Sequence, residues 1–351
     1  MAAGIEDVAR AAGVSTATVS RALRDLPNVT QATRDRVRSA AAQLGYVASP
    51  SAASLASGRT RAIGLISPYV NRWYFSHVIE GAERTLRSQG FDVLLYTFEG
   101  RRSGGGPRLD AGVLRRRVDG VLVVGLPLDE DEVAALLGLG HPLVCIGWGG
   151  YGQVTVRLDD RATARAATQH LLGLGHRRIA HLTGPADDVA PSSPPVDRAA
   201  GWRDALEAAG IPADPALLAH SRLDVEGGRA AMCEILARAP DLTAVFAASD
   251  EMAMGAILAL RHAGRLVPDD VSVIGIDGHD LGELVDLTTM AQPAADQGAI
   301  AARLVLDMIA GVPAPPFTVV PTALVVRGST GPVPAARPVR GPAVPSAGRS
   351  S

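Results

Sequence analysis

The chain has 351 residues, of which 47% are hydrophobic, and its 34 basic and 36 acidic residues give a net charge of −2. Two distant cysteines and the lack of an 18-residue apolar run exclude a disulfide framework and a membrane span. Every basic residue is an arginine, so the lysine of a P-loop is absent. Without a signal-peptide pattern, we expect a soluble cytoplasmic protein that holds no cofactor and no metal.

Charge is divided unevenly along the chain. Residues 1–61 contain eight arginines and four acids, a net charge of +4, so the remaining residues sum to −6. A basic segment on an acidic body attracts phosphate at one end only. This division is compatible with a nucleic-acid-binding head.

Three stripes of apolar residues at helical spacing open the chain. They are Ile5, Val8, Ala9 and Ala12; Val19, Ala22 and Leu23; and Val37, Ala40, Ala41 and Leu44. Gly13 is suited to end the first helix, and Ser15 and Thr30 are suited to cap the second and third. Two short amphipathic helices joined by a tight turn are typical of a helix-turn-helix, and the third helix closes its core.

The exposed face of the second helix carries small and hydrogen-bonding side chains near the helix N-terminus, where backbone N–H groups favour phosphate. Arg21 has the donors to read guanine, and Ala17 offers only a methyl contact. A small helical protein-interaction domain is the alternative for this segment. The candidate DNA-binding residues in the head are Ser15, Thr16, Ala17, Thr18, Ser20, Arg21, Asn28, Thr30, Thr33 and Tyr46.

The residues from Asp7 to Arg21, and those that follow Tyr46, resemble the LacI/GalR family of bacterial transcription regulators. The positions in register after the third helix are Tyr46, Ala52, Leu55, Gly58, Arg59, Thr60, Ile63 and Gly64. The chain departs from the family pattern at Ala48, Ser49 and Ala53. The resemblance extends to about Gly331 and assigns residues 1–47 to a helix-turn-helix domain and 48–61 to a hinge helix and linker.

Within this hinge, the resemblance implies that Leu55 enters the minor groove of DNA and kinks it. Ser49 and Pro50 suit a helix start, yet so short a helix needs DNA and a partner hinge to be stable. Leu55 is the only large apolar residue between Val47 and Ile63. Packing of Leu55 on the body is the alternative to a wedge.

Apolar runs typical of strands alternate with helical stretches in the rest of the chain. The runs are 62–66, 92–96, 120–124, 143–146, 179–182, 244–247 and 271–276, and the clearest helices are 75–88, 162–173, 199–209 and 252–263. This alternation predicts parallel sheets covered by helices. The resemblance adds a two-lobed, periplasmic-binding-protein-like body over 62–331, with an effector-binding and dimerisation role and crossovers near 160, 292 and 322. Composition predicts a disordered tail over 332–351.

Candidate effector-binding residues follow from matching family motifs position by position: Asn71, Arg72, Trp73, Asp160, Arg198, Leu223, Ser249, Asp277 and Gln292. Each has a local alternative; Asp250, for example, is expected to cap the helix that follows it. Arg198 and Asp277 together suit a vicinal diol, which predicts a sugar or related polyol. Arg72, and a leucine at position 223 where the family often has an aromatic residue, leave a carboxylated or phosphorylated ligand open.

Two segments mimic other chemistry. Residues 147–152 look like a dinucleotide fingerprint but precede a strand-like run, which favours a tight loop. The group Asp277, His279 and Asp280 is interpreted as a polar strand end and not as a metal or catalytic site. We therefore predict a non-enzymatic, ligand-responsive regulator, most simply a repressor that binds a palindromic operator as a homodimer. The alternative is a two-lobed sugar-binding or enzymatic protein whose N-terminal helices serve assembly.

Overall fold

The computed structural model describes residues 3–46, 59–98, 109–126, 128–149, 152–186 and 193–333. The predicted hinge helix, including Leu55, and nearly all of the predicted tail lie outside these residues. The described helices are α1 (Ile5–Ala12), α2 (Thr16–Leu23), α3 (Gln31–Gln43), α4 (Trp73–Ser88), α5 (Glu130–Leu137), α6 (Asp160–Gly173), α7 (Pro194–Ala208), α8 (Val225–Arg238), α9 (Asp250–His262) and α10 (Ala294–Ile309). Short 3-10 helices span Ala111–Leu114, Pro215–Leu217 and Asp280–Val285.

The first three helices form a small unit with its own core. Val8, Val19 and Val37 are fully buried, and small alanines fill the space between them. Gly13 ends α1 with a φ of 66°, a left-handed conformation that glycine adopts without strain. The predicted caps are present: the side chains of Ser15 and Thr30 accept the N–H of Thr18 and Thr33.

One core assignment in this unit was wrong. Leu44 was placed in the buried stripe of the third helix, but its side chain is 40% exposed. The reason is local, because α3 ends at Gln43 and Leu44 is its C-cap residue. A residue at that position no longer follows the helical spacing that buries Val37, Ala40 and Ala41.

The body contains two six-stranded sheets. The strands are β1 (Ala62–Ser67), β2 (Asp92–Thr97), β3 (Gly120–Val124), β4 (Leu143–Ile146), β5 (Val154–Arg157), β6 (Ile179–Thr183), β7 (Leu218–His220), β8 (Ala244–Ala247), β9 (Ser272–Asp277), β10 (Thr288–Ala291), β11 (Phe317–Val319) and β12 (Ala323–Val325). The first sheet has the order β11-β5-β4-β3-β1-β2 and the second β12-β10-β9-β8-β6-β7. The α/β class with two largely parallel sheets is therefore confirmed.

The second sheet departs from a purely parallel arrangement at one edge. β12 pairs with β10 in the antiparallel direction, with Met290 opposite Leu324. β10 pairs with β9 in the parallel direction, as do β9 with β8 and β8 with β6. The antiparallel edge follows from chain connectivity, because β12 comes directly after β11 of the first sheet.

We call the two halves of the body the first lobe, built on the sheet that contains β1, and the second lobe, built on the sheet that contains β6. The chain passes between them three times: from β5 to α6, from β10 to α10, and from β11 to β12. Thr163 and Thr322 hydrogen-bond through their hydroxyls at 3.1 Å, which joins two of these passages. No helix among the described residues is both long and apolar enough to span a membrane.

A close contact between α4 and α10 holds the first lobe together. A Cβ atom added to Gly298 would lie 2.0 Å from the carbonyl oxygen of Val78, and one added to Gly81 would lie 1.9 Å from that of Ala295. Each helix therefore presents a glycine to the backbone of the other. Only residues without a side chain allow the two helices to approach this closely.

We expect Gly298→Ala to lower the free energy of unfolding by about 1–3 kcal/mol, since the new methyl group forces α4 and α10 apart. Chemical denaturation monitored by circular dichroism measures the change. Gly173→Ala is the matched control, because a Cβ at that helical glycine meets nothing within 4 Å. Equal stability of the two variants would show that the helix contact tolerates a methyl group.

Candidate nucleic-acid interface and ligand cleft

The N-terminal part of α2 forms an exposed polar surface. Ser15, Thr16, Ala17 and Arg21 are exposed, while Thr18 and Ser20 are half-buried. The Ser15 and Thr18 hydroxyls lie 2.9 Å apart, so part of their hydrogen-bonding capacity is used within the helix. The geometry brings these six predicted DNA-binding residues onto one short helix and its cap.

The other predicted residues of the head have more local surroundings. Asn28 is exposed and has a φ of 69°, whereas Thr30 and Thr33 are joined in the cap of α3. Tyr46 is half-buried and packs against the core of the head. Their assignment to DNA remains a prediction, and the cap and the core contact give Thr30, Thr33 and Tyr46 structural roles as well.

Two ion pairs that the sequence did not predict fix the turn after α2. Asp25 has a φ of 54°, and its carboxylate lies 2.9 Å from Arg34 and 2.7 Å from Arg38. Two of the arginines in the basic head are thus paired within it. Arg21 is exposed on α2 and keeps its place on the polar surface.

A buried ion pair lies in the second lobe, where α6 and α7 begin. Arg198 donates from Nε to Asp160 Oδ1 at 2.8 Å, and its Nη1 donates to the carbonyl oxygen of Ala248. Burial by itself lowers the pKa of Arg198, but Asp160 and Asp277 outweigh it and raise the pKa. The structure therefore brings two predicted effector residues together and pairs them with each other.

Asp277, Gln292 and two residues of the first lobe form a hydrogen-bonded row. Gln292 Nε2 donates to Asp277 Oδ1 at 2.6 Å, Gln297 Nε2 donates to Gln292 Oε1 at 2.7 Å, and the Tyr74 hydroxyl donates to Gln297 Oε1 at 3.2 Å. Burial raises the pKa of Tyr74, which keeps its hydroxyl a neutral donor. This row runs from the first lobe to the end of β9 in the second.

Asp277 also has an unusual backbone conformation. Its φ of 141° is one that side-chain-bearing residues rarely adopt, and it costs about 1–3 kcal/mol. The N–H of Gln292 donates to its carbonyl oxygen at 3.0 Å, so the same glutamine holds both its backbone and its side chain. A strained carboxylate at a strand end is a feature of functional sites.

The predicted cap of α9 was wrong. Ser249 is the N-cap residue, and its hydroxyl accepts the N–H of Met252 at 3.2 Å. Asp250 instead accepts the backbone N–H groups of Gly278 and His279, both at 2.8 Å. The aspartate therefore holds the loop after β9, and Ser249 has a capping role beside its proposed ligand contact.

The carboxyl groups of Asp250 and Asp277 share one buried region. Burial and the nearby charge of Asp250 raise the pKa of Asp277 to about 7, against the lowering effect of Arg198. Burial likewise raises the pKa of Asp250, against the lowering effect of its backbone hydrogen bonds. Hydrogen bonds from Gly278 and His279 lower the pKa of Asp250, and those from Gln292 and the Asp250 backbone lower that of Asp277, but burial outweighs them in both groups.

The residues that precede and begin α4 lie where the two lobes meet. The indole of Trp73 stacks on the His279 ring with centroids 5.4 Å apart, and its Nε1 is buried without a hydrogen-bond partner. Arg72 is paired with Asp224 and Glu251. Asn71 is exposed, and Leu223 packs against the core of the second lobe.

Several residues of this region were not predicted, namely Tyr74, Gln297, Asp224 and Glu251. Tyr74 is next to Trp73 in sequence, and Glu251 follows the Ser249–Asp250 motif, so adjacency could have signalled both. Gln297 lies inside a helix without a motif, and only the fold brings it to Gln292. In the group Asp277, His279 and Asp280, the Asp280 carboxylate lies 3.0 Å from His279 Nδ1, but its side chain is 73% exposed. Among the described residues, no group of three acidic, His or Cys side chains is arranged to hold a metal ion.

We expect the stability of the protein to fall as pH rises from about 4 to about 7, through the raised pKa of Asp277. Between these values the folded state binds a proton that the unfolded state has released, so raising the pH favours unfolding. In Asp277→Asn this contribution is absent, while the side-chain oxygen still accepts from Gln292. Urea denaturation of both proteins across this range measures the slope. An unchanged slope in the variant would place the titration elsewhere.

Comparison with known proteins gives a consistent result for both parts of the chain. Residues 4–49 match the model of the lacI family of bacterial regulatory proteins, and residues 168–330 match that of a periplasmic binding protein-like domain. The chain is 38% identical over 340 residues to the HTH-type transcriptional regulator CelR of Thermobifida fusca, with 93% of this chain and 97% of CelR covered.

Two solved structures are similar over more than nine tenths of the chain. A transcriptional regulator CelR-cellobiose complex is 37% identical with a TM-score of 0.70, covering 93% of this chain and 99% of that one. The lac repressor dimer bound to operator and the anti-inducer ONPF is 26% identical with a TM-score of 0.82, covering 94% and 100%. The protein therefore belongs to the lacI family of bacterial regulatory proteins.

Proposed function

We propose that this protein is a ligand-responsive transcriptional repressor that binds a palindromic operator as a homodimer and takes a neutral carbohydrate in the cleft between its lobes. The observation that carries the proposal is the row of buried polar groups that ends at Asp277, within a family of DNA-binding regulators. A protein with this role acts in the cytoplasm, where bacterial DNA lies. We assign it no catalytic step.

The DNA-binding part of the proposal depends on α2. Its exposed N-terminal half and Arg21 have the size and donors that reading base edges in the major groove requires. The net charge of +4 over residues 1–61 supplies general attraction to phosphate. The proposed hinge residue Leu55 lies outside the described residues and stays a prediction from the family resemblance.

A homodimer is supported by the lac repressor relative, which was solved as a dimer on its operator. Leu281 and Leu284 of the 3-10 helix Asp280–Val285 are 52% and 80% exposed, an apolar surface that a second copy would cover. A two-fold protein requires two half-sites, which makes the operator palindromic.

The charges of the cleft favour a neutral ligand. Arg198 is neutralised by Asp160, and Arg72 is paired with Asp224 and Glu251. Neither guanidinium is therefore left for a carboxylate or a phosphate, and the neighbouring carboxyl groups of Asp250 and Asp277 offer no positive charge to hold one. Hydroxyl groups suit this environment because they donate to Asp277 and accept from the unpaired Trp73 Nε1. A CelR relative solved with cellobiose supports the same class.

Ligand would act by changing the equilibrium between two arrangements of the lobes. The row from Tyr74 to Asp277 joins groups of both lobes, so a ligand bound to Asp277 and Trp73 differs in affinity for the open and closed arrangements. That difference is the only source of a response at the operator. We propose that the ligand-bound arrangement separates the paired hinges and releases the operator.

We expect Arg21→Ala to weaken operator binding by about 1–3 kcal/mol and to relax the preference at one base pair of each half-site. The loss arises because a methyl side chain cannot replace the two hydrogen bonds to guanine. Binding to a library of operator variants and to random DNA measures it. Arg10→Ala is the control, since Arg10 is an exposed arginine on α1 paired with Asp7. Equal losses of binding free energy on operator and random DNA would show that Arg21 contacts only phosphate.

We expect Asp277→Asn to raise the carbohydrate concentration for half-release of the operator by about tenfold, because Asn offers one acceptor oxygen and carries no charge. Operator affinity without carbohydrate should stay within about twofold of the parent. A panel of mono- and disaccharides that includes cellobiose is titrated against the operator complex. Asp241→Asn is the matched control, since Asp241 is 64% exposed in a surface ion pair. An unchanged midpoint for a sugar that releases the parent would remove Asp277 from the ligand site.

A further inference from the structure

Arg72 occupies a position that its local structure disfavours. It is the N-cap residue of α4 and its side chain makes no capping hydrogen bond. N-cap positions prefer Ser, Thr, Asp and Asn, and the positive end of the helix dipole repels a cation. The reason for an arginine at this position must therefore lie outside α4.

That reason is found in the second lobe. Arg72 Nη2 lies 3.3 Å from Asp224 Oδ2, and its Nε lies 3.8 Å from Glu251 Oε2. Asp224 is the N-cap of α8 and Glu251 is in the first turn of α9, so both carboxylates are stabilised at helix N-termini. The guanidinium of one lobe thus bridges two helix starts of the other.

The contact is held in place from the first lobe too. The Arg72 guanidinium lies over the ring of Tyr69 at 4.5 Å from its centroid, and the adjacent Trp73 stacks on His279 of the second lobe. The side chains of Arg72, Asp224 and Glu251 are only 18%, 27% and 18% exposed. Such partly buried pairs are less screened by salt than surface pairs, and they form only while the lobes keep this arrangement.

We propose that Arg72 is a latch that holds the two lobes closed before any ligand binds, through its ion pairs with Asp224 and Glu251. Breaking the latch shifts the population towards the open arrangement. The apparent affinity of a ligand that binds one arrangement scales with the fraction of protein in it, so Arg72 sets the sensitivity of the response. The latch is a property of the body alone and does not depend on the proposed carbohydrate or operator.

The test measures the distance between the lobes in the ligand-free, full-length protein. Spin labels are attached to cysteines at Ser88 of α4 and Glu207 of α7, both exposed, in a Cys233→Ser background that leaves the buried Cys145 in place. Labelled chains are diluted with an excess of unlabelled chain, so that pulsed electron resonance reports distances within one chain. The parent is expected to show one main distance.

We expect Arg72→Gln to lower the closed-to-open ratio by about fivefold and to add a second distance population. Glu251→Gln should have a smaller effect in the same direction. In the double variant the two effects should not add, because both changes remove one shared interaction. Arg72→Lys keeps the positive charge but lacks the planar guanidinium that can bind two carboxylates, so it should retain part of the closed population.

Arg222→Gln is the matched control. Arg222 also pairs with Asp224, at 3.0 Å, but it belongs to the same lobe, so its loss should leave the distance unchanged. Identical distance distributions in parent and Arg72→Gln would overturn the latch, as would an equal shift in Arg222→Gln. Since no DNA or sugar is present, either result leaves the proposed function to be judged by the operator and carbohydrate titrations.

Discussion

The body of the protein is organised around an excess of negative charge that its second lobe buries. Asp160, Asp250 and Asp277 are buried there, and Arg198 lies beside Asp160 and Asp277. Arg198 neutralises Asp160, and two backbone N–H groups bind Oδ2 of Asp250, whose Oδ1 is buried without a partner. Asp277 accepts from the Gln292 amide, and burial raises its pKa. Buried ionic groups are weak sources of stability, which is consistent with the ligand site proposed here.

This charge cluster is placed where the lobes are joined. Asp160 begins the helix after one passage of the chain, and Gln292 lies in a second. Gln292 connects Asp277 to Gln297 and Tyr74 of the first lobe. Because hydrogen bonds in a chain polarise one another, a new hydrogen bond at Asp277 changes the strength of the others in the row. A change of lobe angle must rearrange these bonds, so the proposed ligand binding and a lobe movement would involve the same atoms.

Local sequence patterns predicted the helices and strands well, but they did not predict which residues of different elements contact one another. The apolar stripes of the head and the continuous apolar runs of β1, β3 and β8 were visible, because burial on both faces leaves a strong signal. Edge strands such as β7, β11 and β12 have three residues each and partly exposed side chains, so periodicity does not detect them. Family motifs named Asp160 and Arg198 but could not show that the two bind each other. Residues such as Gln297 and Asp224 are brought to the site only by the tertiary structure, and no local pattern in a single sequence marks them.

The residues that break local rules form a coherent set. Asp25 and Asp277 have φ values of 54° and 141°, and Arg72 caps a helix that repels it. In each case the cost is offset by partners distant in sequence: Arg34 and Arg38 for Asp25, Gln292 for Asp277, and Asp224 and Glu251 for Arg72. Folded proteins keep such conflicts mainly where function requires them. The first fixes the turn after α2, the second lies in the proposed ligand site, and the third pairs residues of the two lobes. These three positions are therefore the ones at which the proposed DNA binding, ligand binding and lobe movement are best tested.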